Sequence, residues 1–242
     1  MNATRQRISP LIAGLMLLLS TPLSASPDMV LTPFSAEYSL NRNDTTLGKV
    51  LITLELTPGG DYRYRAYTVT SGLISLFRDD QITEQSQGVV KNGSVRPDNY
   101  LYHHRRSNNP RKVTVDFNWR TGRVTNHSGE NRWSMRVPPG TQDKFSTQLA
   151  LMMAVGRGER DITFKVADGG MLKNYRFSTN GSERVTTDNG SVNSVRVERV
   201  KEGRPSDSTL WLSPELNYLP VKISKQKSDE QVIMLLRSVT WN

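Results

Sequence analysis

Val50-Leu-Ile-Thr-Leu-Glu-Leu56, Thr57-Pro-Gly-Gly60 and Asp61-Tyr-Arg-Tyr-Arg-Ala66 read in order as a strand, a turn and a second strand. Val50, Ile52, Leu54 and Leu56 are apolar at every second position, and Tyr62, Tyr64 and Ala66 continue the alternation after the turn. A period of two puts each set on one face of a strand. Pro58-Gly59-Gly60 supplies the fixed and the positive φ values that a tight reversal needs. The same grammar recurs along the chain in Phe34/Ala36/Tyr38/Leu40, in Val113/Val115/Phe117/Trp119, in Ile162/Phe164/Val166, in Leu210/Leu212 and in the closing Val232 to Trp241 run. Between these runs stand Asn92-Gly93, Thr121-Gly122, Asp168-Gly169-Gly170, Asn180-Gly181 and Asn189-Gly190. Asn-Gly is a strong hairpin signal because both residues tolerate the positive φ of primed turns. The pattern predicts about a dozen strands. The fold class is mainly β, an antiparallel curved sheet or barrel-like meander.

One segment departs from this period. Thr141 to Val155 carries Phe145, Leu149, Met152 and Met153 at helical spacing, follows Pro138-Pro139-Gly140 and stops at Gly156. This spacing predicts a helix with Thr141 as its cap and Asp143 complementing the dipole in its first turn. Its apolar stripe is expected to seal the sheet's core or to line an acyl-chain cavity, where methionine's flexibility suits an irregular ligand. A further helical turn is expected over Leu73 to Phe77.

The first 25 residues are of another kind. Arg5 and Arg7 precede the apolar run Leu11 to Leu19, and Ser20 to Ala25 is short and polar, ending in Leu-Ser-Ala. That layout predicts a secretory signal peptide over residues 1–25, with cleavage after Ala25. The apolar run is about half of the ~20 residues a spanning helix needs. Residues 26–242 are then expected to form a single β-rich periplasmic domain in a Gram-negative-type envelope, with no transmembrane segment in the mature form. The 242 residues include no cysteine, which removes disulfides, thiolate metal sites and cysteine nucleophiles together. The formal charge is +9, and losing Arg5 and Arg7 with no acid leaves +7. In an envelope, a basic surface points to lipid, lipopolysaccharide or another anionic component as partner rather than to nucleic acid.

Four stretches together resemble a known family: Ser71-Gly-Leu-Ile-Ser-Leu-Phe-Arg-Asp79, Pro138-Pro-Gly-Thr-Gln-Asp143, Val166-Ala-Asp-Gly-Gly170 and Thr209-Leu-Trp-Leu-Ser-Pro-Glu-Leu-Asn-Tyr-Leu-Pro-Val-Lys-Ile223. Their order is similar to that of the exported bacterial family called domain of unknown function 3108, over about Phe34 to Trp241. The resemblance implies an envelope location and a β-rich domain. It carries over no catalytic residue.

Catalytic signatures such as G-x-S-x-G, the P-loop, G-x-G-x-x-G and H-E-x-x-H do not occur. Asp79, Asp80, Glu84, Asp116 and Asp143 remain as dispersed carboxylates for acid and base roles. His103 and His104 are adjacent, so on a strand they face opposite ways and do not share an ion. No metal or other cofactor is expected. Arg105, Arg106, Arg111 and Lys112 surround the turn Ser107 to Pro110 and form a candidate anion-docking tip, because the guanidinium fork suits phosphate and carboxylate. Trp211, Tyr218 and Leu219 read as an aromatic latch around two prolines. The leading functional reading is a non-catalytic module that binds an amphiphile or envelope component. Its rivals are a scaffold that docks an anionic partner through the basic tip and a hydrolase of an envelope polymer.

Overall fold

A computed structural model describes residues 29–242 apart from 44, 71–80, 106–109, 202, 204 and 228. The expected leader over residues 1–25, the Leu73 to Phe77 turn, Asp79, Asp80 and Arg106 lie outside the described residues. The strands are β1 (Phe34–Arg42), β2 (Thr45–Leu56), β3 (Asp61–Thr70), β4 (Gln81–Lys91), β5 (Ser94–Arg105), β6 (Arg111–Asn118), β7 (Arg123–Ser128) and β8 (Asn131–Arg136). After them come β9 (Gln142–Asp143), helix α1 (Ser146–Gly156), β10 (Asp161–Asp168), β11 (Met171–Thr187), β12 (Gly190–Val200), β13 (Ser208–Ser213), β14 (Leu219–Lys227) and β15 (Glu230–Trp241).

All fifteen join one sheet, in the order β8 to β1 and then β15 down to β9. The chain meanders one way from β1, and its second half returns to pair β15 with β1 antiparallel, Phe34 opposite Trp241. Only the two-residue β9 is parallel to its neighbour, with Gln142 beside Val166. So long a sheet has to coil, and register shifts at Glu37/Tyr38, Gln87/Gly88 and Trp211/Leu212 add local bends. The coil brings its two ends together. Trp133 of edge strand β8 lies against Gly170 in the turn after β10, where an added Cβ would come within 1.8 Å of the indole Nε1. Closure here is a side-chain contact, and only glycine permits it at φ +76°.

Alternation decides the faces as expected. Val50, Ile52, Leu54, Tyr62 and Tyr64 are buried on the concave side. Lys49, Glu55, Arg63 and Arg65 stand exposed on the convex side, the reverse of the outward apolar band of a membrane barrel. No helix among the described residues is long and apolar enough to cross a membrane.

Two turn expectations resolve differently. Lys91 pairs with Ser94 around Asn92-Gly93, and both loop residues have positive φ, the primed hairpin that the sequence predicts. Asn180-Gly181, however, is no turn. β11 runs through it, and Gly181 at φ +75° serves a register shift between Thr179 and Ser182. Flanking pairing on both sides outweighs the local hairpin signal, leaving the positive φ to form a bulge.

The helix is shorter than the expected Thr141–Val155. It begins at Ser146, because residues 142–143 add a parallel strand to β10 and the Thr141 hydroxyl donates to the Pro138 carbonyl at 2.8 Å instead of capping. It also has no outer face. Leu149, Met152 and Met153 join the cluster under β1 to β3, while Leu151, Ala154 and Val155 join a second cluster with Ile162, Val166, Val197 and Leu212. A helix apolar all round is a buried one, so α1 fills the concavity rather than lying across it. The Phe145 ring just before it stacks on Tyr64, with centroids 4.1 Å apart.

Candidate functional site

Asp143, at the end of the Pro138-Pro-Gly-Thr-Gln-Asp motif, is wholly buried. Its Oδ1 accepts the backbone N–H groups of Phe145 and Ser146, each at 2.7 Å, and its own N–H donates to the Ser146 hydroxyl at 3.0 Å. This reciprocal pair caps the first turn of α1, the role that the sequence assigns to Thr141. On the other side the Ser86 hydroxyl donates to Oδ2 at 2.6 Å. That commits the Ser86 proton, so the Tyr62 hydroxyl, 2.8 Å from Ser86 Oγ, donates to it in turn. Burial pushes the Asp143 carboxyl up to about 6, against the hydrogen bonds from Ser86, Ser146 and Phe145 that favour its charged form. Burial and then the Asp143 charge raise the Tyr62 hydroxyl well above its ordinary value. Gln142 extends the anchor by donating to the Val95 carbonyl at 2.8 Å. The carboxylate is fully engaged and ties the helix start to β3 and β4.

Beside this anchor the concave face opens. One cavity of about 320 Å³ is walled mainly by Val50, Ile52, Phe145, Leu151, Phe177, Leu210 and Met234, with Thr68, Arg199 and Ser208 as polar parts of the wall. A second, of about 330 Å³, is lined by Tyr100, Tyr102, Arg111, Val113 and Asp168. Both include Glu84, Lys144 and Lys225, so the two adjoin and make one cleft with an apolar half and a charged half.

The charges are unevenly matched. Asp168 accepts from Lys173 Nζ at 2.7 Å and from the Tyr175 hydroxyl at 3.0 Å. Burial works to raise its carboxyl, but the Lys173 hydrogen bond, the Lys144 and Lys173 charges and the Tyr175 hydroxyl together hold it below the usual range. Tyr175 is pushed up to about 12 by burial and by the Asp168 charge, and the Arg199 guanidinium lies 3.5 Å over its ring. Lys144 stands 4.0 Å from Asp168, the far side of a carboxylate already taken by Lys173. Glu84 accepts the Tyr100 hydroxyl at 2.6 Å. Burial, then the Glu84 charge and its hydrogen bond, raise that hydroxyl. Arg111 and Lys225 have no carboxylate partner among the described residues; Arg111 lies 6.0 Å over the Tyr102 ring.

The candidate docking tip is therefore divided by strand parity. His104 pairs with Arg111 and His103 with Lys112, so Arg111 turns into the cleft while Lys112 and Arg105 point outward. Arg105 donates to Gln81 at 2.6 Å. Lys112 lines a shallow outer depression with Asp116 and His127. β5 is continuous through His103 and His104, which face opposite ways. Phe145, Leu149, Met152 and Met153 are all buried, and of these only Phe145 lines the apolar cavity. Trp211 is buried, its indole N–H bonded to Glu183 and Lys222 4.4 Å over its ring, a packing role beside β11. Sequence reading misses Lys144, Arg199 and Lys225. For Lys225 the signal was present, since Val221, Ile223 and Lys225 alternate and place the lysine on the inward face.

The family described as Protein of unknown function (DUF3108) matches residues 37–237, and the chain belongs to it. No curated protein is significantly similar to the chain. Among solved structures, the chain is similar to a beta-barrel-like protein of domain of unknown function DUF1849 from Brucella abortus. The identity is 12%, the TM-score 0.58, and the match covers 88% of this chain and 98% of that one. At that identity the likeness is one of fold.

Proposed function

We propose that this protein is an exported, non-catalytic binding module that holds an amphiphile in the cell envelope. One observation carries the reading: an apolar cavity of about 320 Å³ adjoins a charged one through Glu84, Lys144 and Lys225. The volume lies at the lower end of the ~300–1,000 Å³ range of ligand pockets, and an apolar lining with a few convergent polar groups is the usual composition of such sites. Arrangement matters more than size here, because the first cavity is walled mainly by apolar side chains, with Arg199 on one wall, and the second holds Arg111 and Asp168. The export part of the proposal rests on the charged, apolar and small-residue order of residues 5–25.

One experiment addresses both parts. Protein recovered from the envelope fraction of cells expressing the full chain is extracted with organic solvent and the extract analysed by mass spectrometry. Near-stoichiometric amphiphile is expected with the wild type. Little is expected with Thr68→Trp, which fills the apolar half from a half-buried wall position. A matching melting curve shows that the variant is folded. Protein absent from the envelope fraction overturns the location, and an extract that is empty, or equal for both forms, overturns the binding role.

A further inference from the structure

The cleft's dimensions and charge narrow the class of ligand, an inference that rests on the amphiphile-binding reading. An apolar half of about 320 Å³ accepts about ten methylene-sized groups if each takes roughly the ~30 Å³ of a water molecule. That suits one medium-length chain and is far short of the two long tails of a membrane phospholipid. In the charged half, Arg111, Lys144 and Lys225 face Glu84 and Asp168, and Lys173 already neutralises Asp168. Lys144 and Lys225 sit where the halves meet, so they reach the first polar group beyond a seated tail. Glu84 shares that boundary and is held toward Tyr100 by its hydrogen bond.

We propose that the cleft takes a single-chain anionic amphiphile of about ten carbons, its carboxylate or phosphate head between Lys144 and Lys225 and its tail along Ile52, Phe145 and Leu210. Arg111 adds a third cation behind the head, 6.0 Å from the centre of the Tyr102 ring. Such charge-assisted contacts are the strong ones at a partly dry site. Glu84 repels the head, and this gives the proposal a test of sign as well as of size.

Titration calorimetry on the full-length protein uses four probes: decanoate, decan-1-ol, didecanoyl phosphatidate and inorganic phosphate. Decanoate is expected to bind at least about tenfold more tightly than decan-1-ol, and inorganic phosphate much more weakly than decanoate. Lys144→Ala with Lys225→Ala weakens decanoate by about tenfold or more and leaves decan-1-ol unchanged. Glu84→Gln tightens decanoate. Both lysines are exposed, so the double variant is expected to fold, and melting curves check all variants. The inference falls if decan-1-ol matches decanoate, if the two-chain phosphatidate binds more tightly, if phosphate alone matches decanoate, or if the double variant keeps its affinity. Glu84→Gln weakening decanoate also overturns it. Those results leave the amphiphile reading standing, whereas no binding by decanoate, decan-1-ol or phosphatidate removes that reading itself.

Discussion

The anchor at Asp143 and the mouth at Lys144 are consecutive in sequence and opposite in character. Asp143 is fully buried, and both of its oxygens accept hydrogen bonds from Ser86, Phe145 and Ser146. Lys144 is exposed and, among the described residues, has one long contact to a carboxylate already held by Lys173. A polar group whose capacity is used up within the fold has nothing left for a ligand, and its removal is felt as lost stability. Charges gathered in a cleft without partners do little for the fold. Polarity alone does not separate structural from functional residues; the difference lies in how completely each is satisfied.

The largest effects therefore belong to the anchored helix. Leu149→Asp puts an unpaired carboxylate into a site with no exposure and should destabilise by on the order of 4–5 kcal/mol, enough to unfold a marginal protein. Chemical denaturation measures it. A loss below about 1 kcal/mol would mean that α1 is not the filled centre of the sheet.

Next in size is the pH dependence that Asp143 imposes. Its folded-state pKa of about 6 lies above the ordinary carboxyl value of 3.8, so the folded form holds the proton more tightly than the unfolded one. A raised carboxyl contributes stability that is fully present below pH ~4 and lost as pH rises through about 6, an effect of about 3 kcal/mol. Asp143→Asn keeps the acceptor for Phe145 and Ser146 and has no proton to lose. The stability of the Asn variant relative to wild type should rise by about 2 kcal/mol between pH 4 and pH 7, most of the full effect. Comparing the two forms cancels Asp168 and Asp207, whose lowered values act in the opposite sense. Parallel stability curves would show that Asp143 is charged throughout and that burial is not the dominant cause.

Much of this fold was legible because a period of two is a direct consequence of strand geometry. Val50 to Ala66 alone gave two strands, their turn and their buried face, and the hairpin at Asn92-Gly93 followed from backbone preference. Asn180-Gly181 misled because positive φ serves a bulge as well as a turn, and only pairing with distant β12 decides between them. The helix misled in a similar way. Phe145, Leu149, Met152 and Met153 make a stripe, yet Leu151, Ala154 and Val155 on the other side meet a second cluster built from β10 to β13. The cleft was the least legible part, since Glu84, Lys144, Arg199 and Lys225 come from four separated segments that only the coil of the sheet brings together. The basic tip is legible as a cluster, but strand parity turns Arg111 inward and Lys112 outward, a division that the pairing of β5 with β6 makes plain.

The smallest expected effect is the most discriminating. Lys144→Ala combined with Lys225→Ala removes two exposed cations from a cleft with an excess of positive charge, together with one 4.0 Å contact to Asp168. An exposed ion pair of that length contributes at most a few tenths of a kcal/mol, and relief of repulsion among the remaining cations acts in the other direction. Stability should stay within about 0.5 kcal/mol of wild type, and any gain should shrink as salt screens the repulsion over a Debye length of ~8 Å at physiological ionic strength. Denaturation with and without added salt reads both quantities. A loss of 2 kcal/mol or more would make the lysines part of the fold's own support, as Asp143 is, and would erase the contrast between anchor and mouth. An unchanged stability leaves the charges without a structural task at the boundary between the apolar and charged halves, where an anionic head group supplies one.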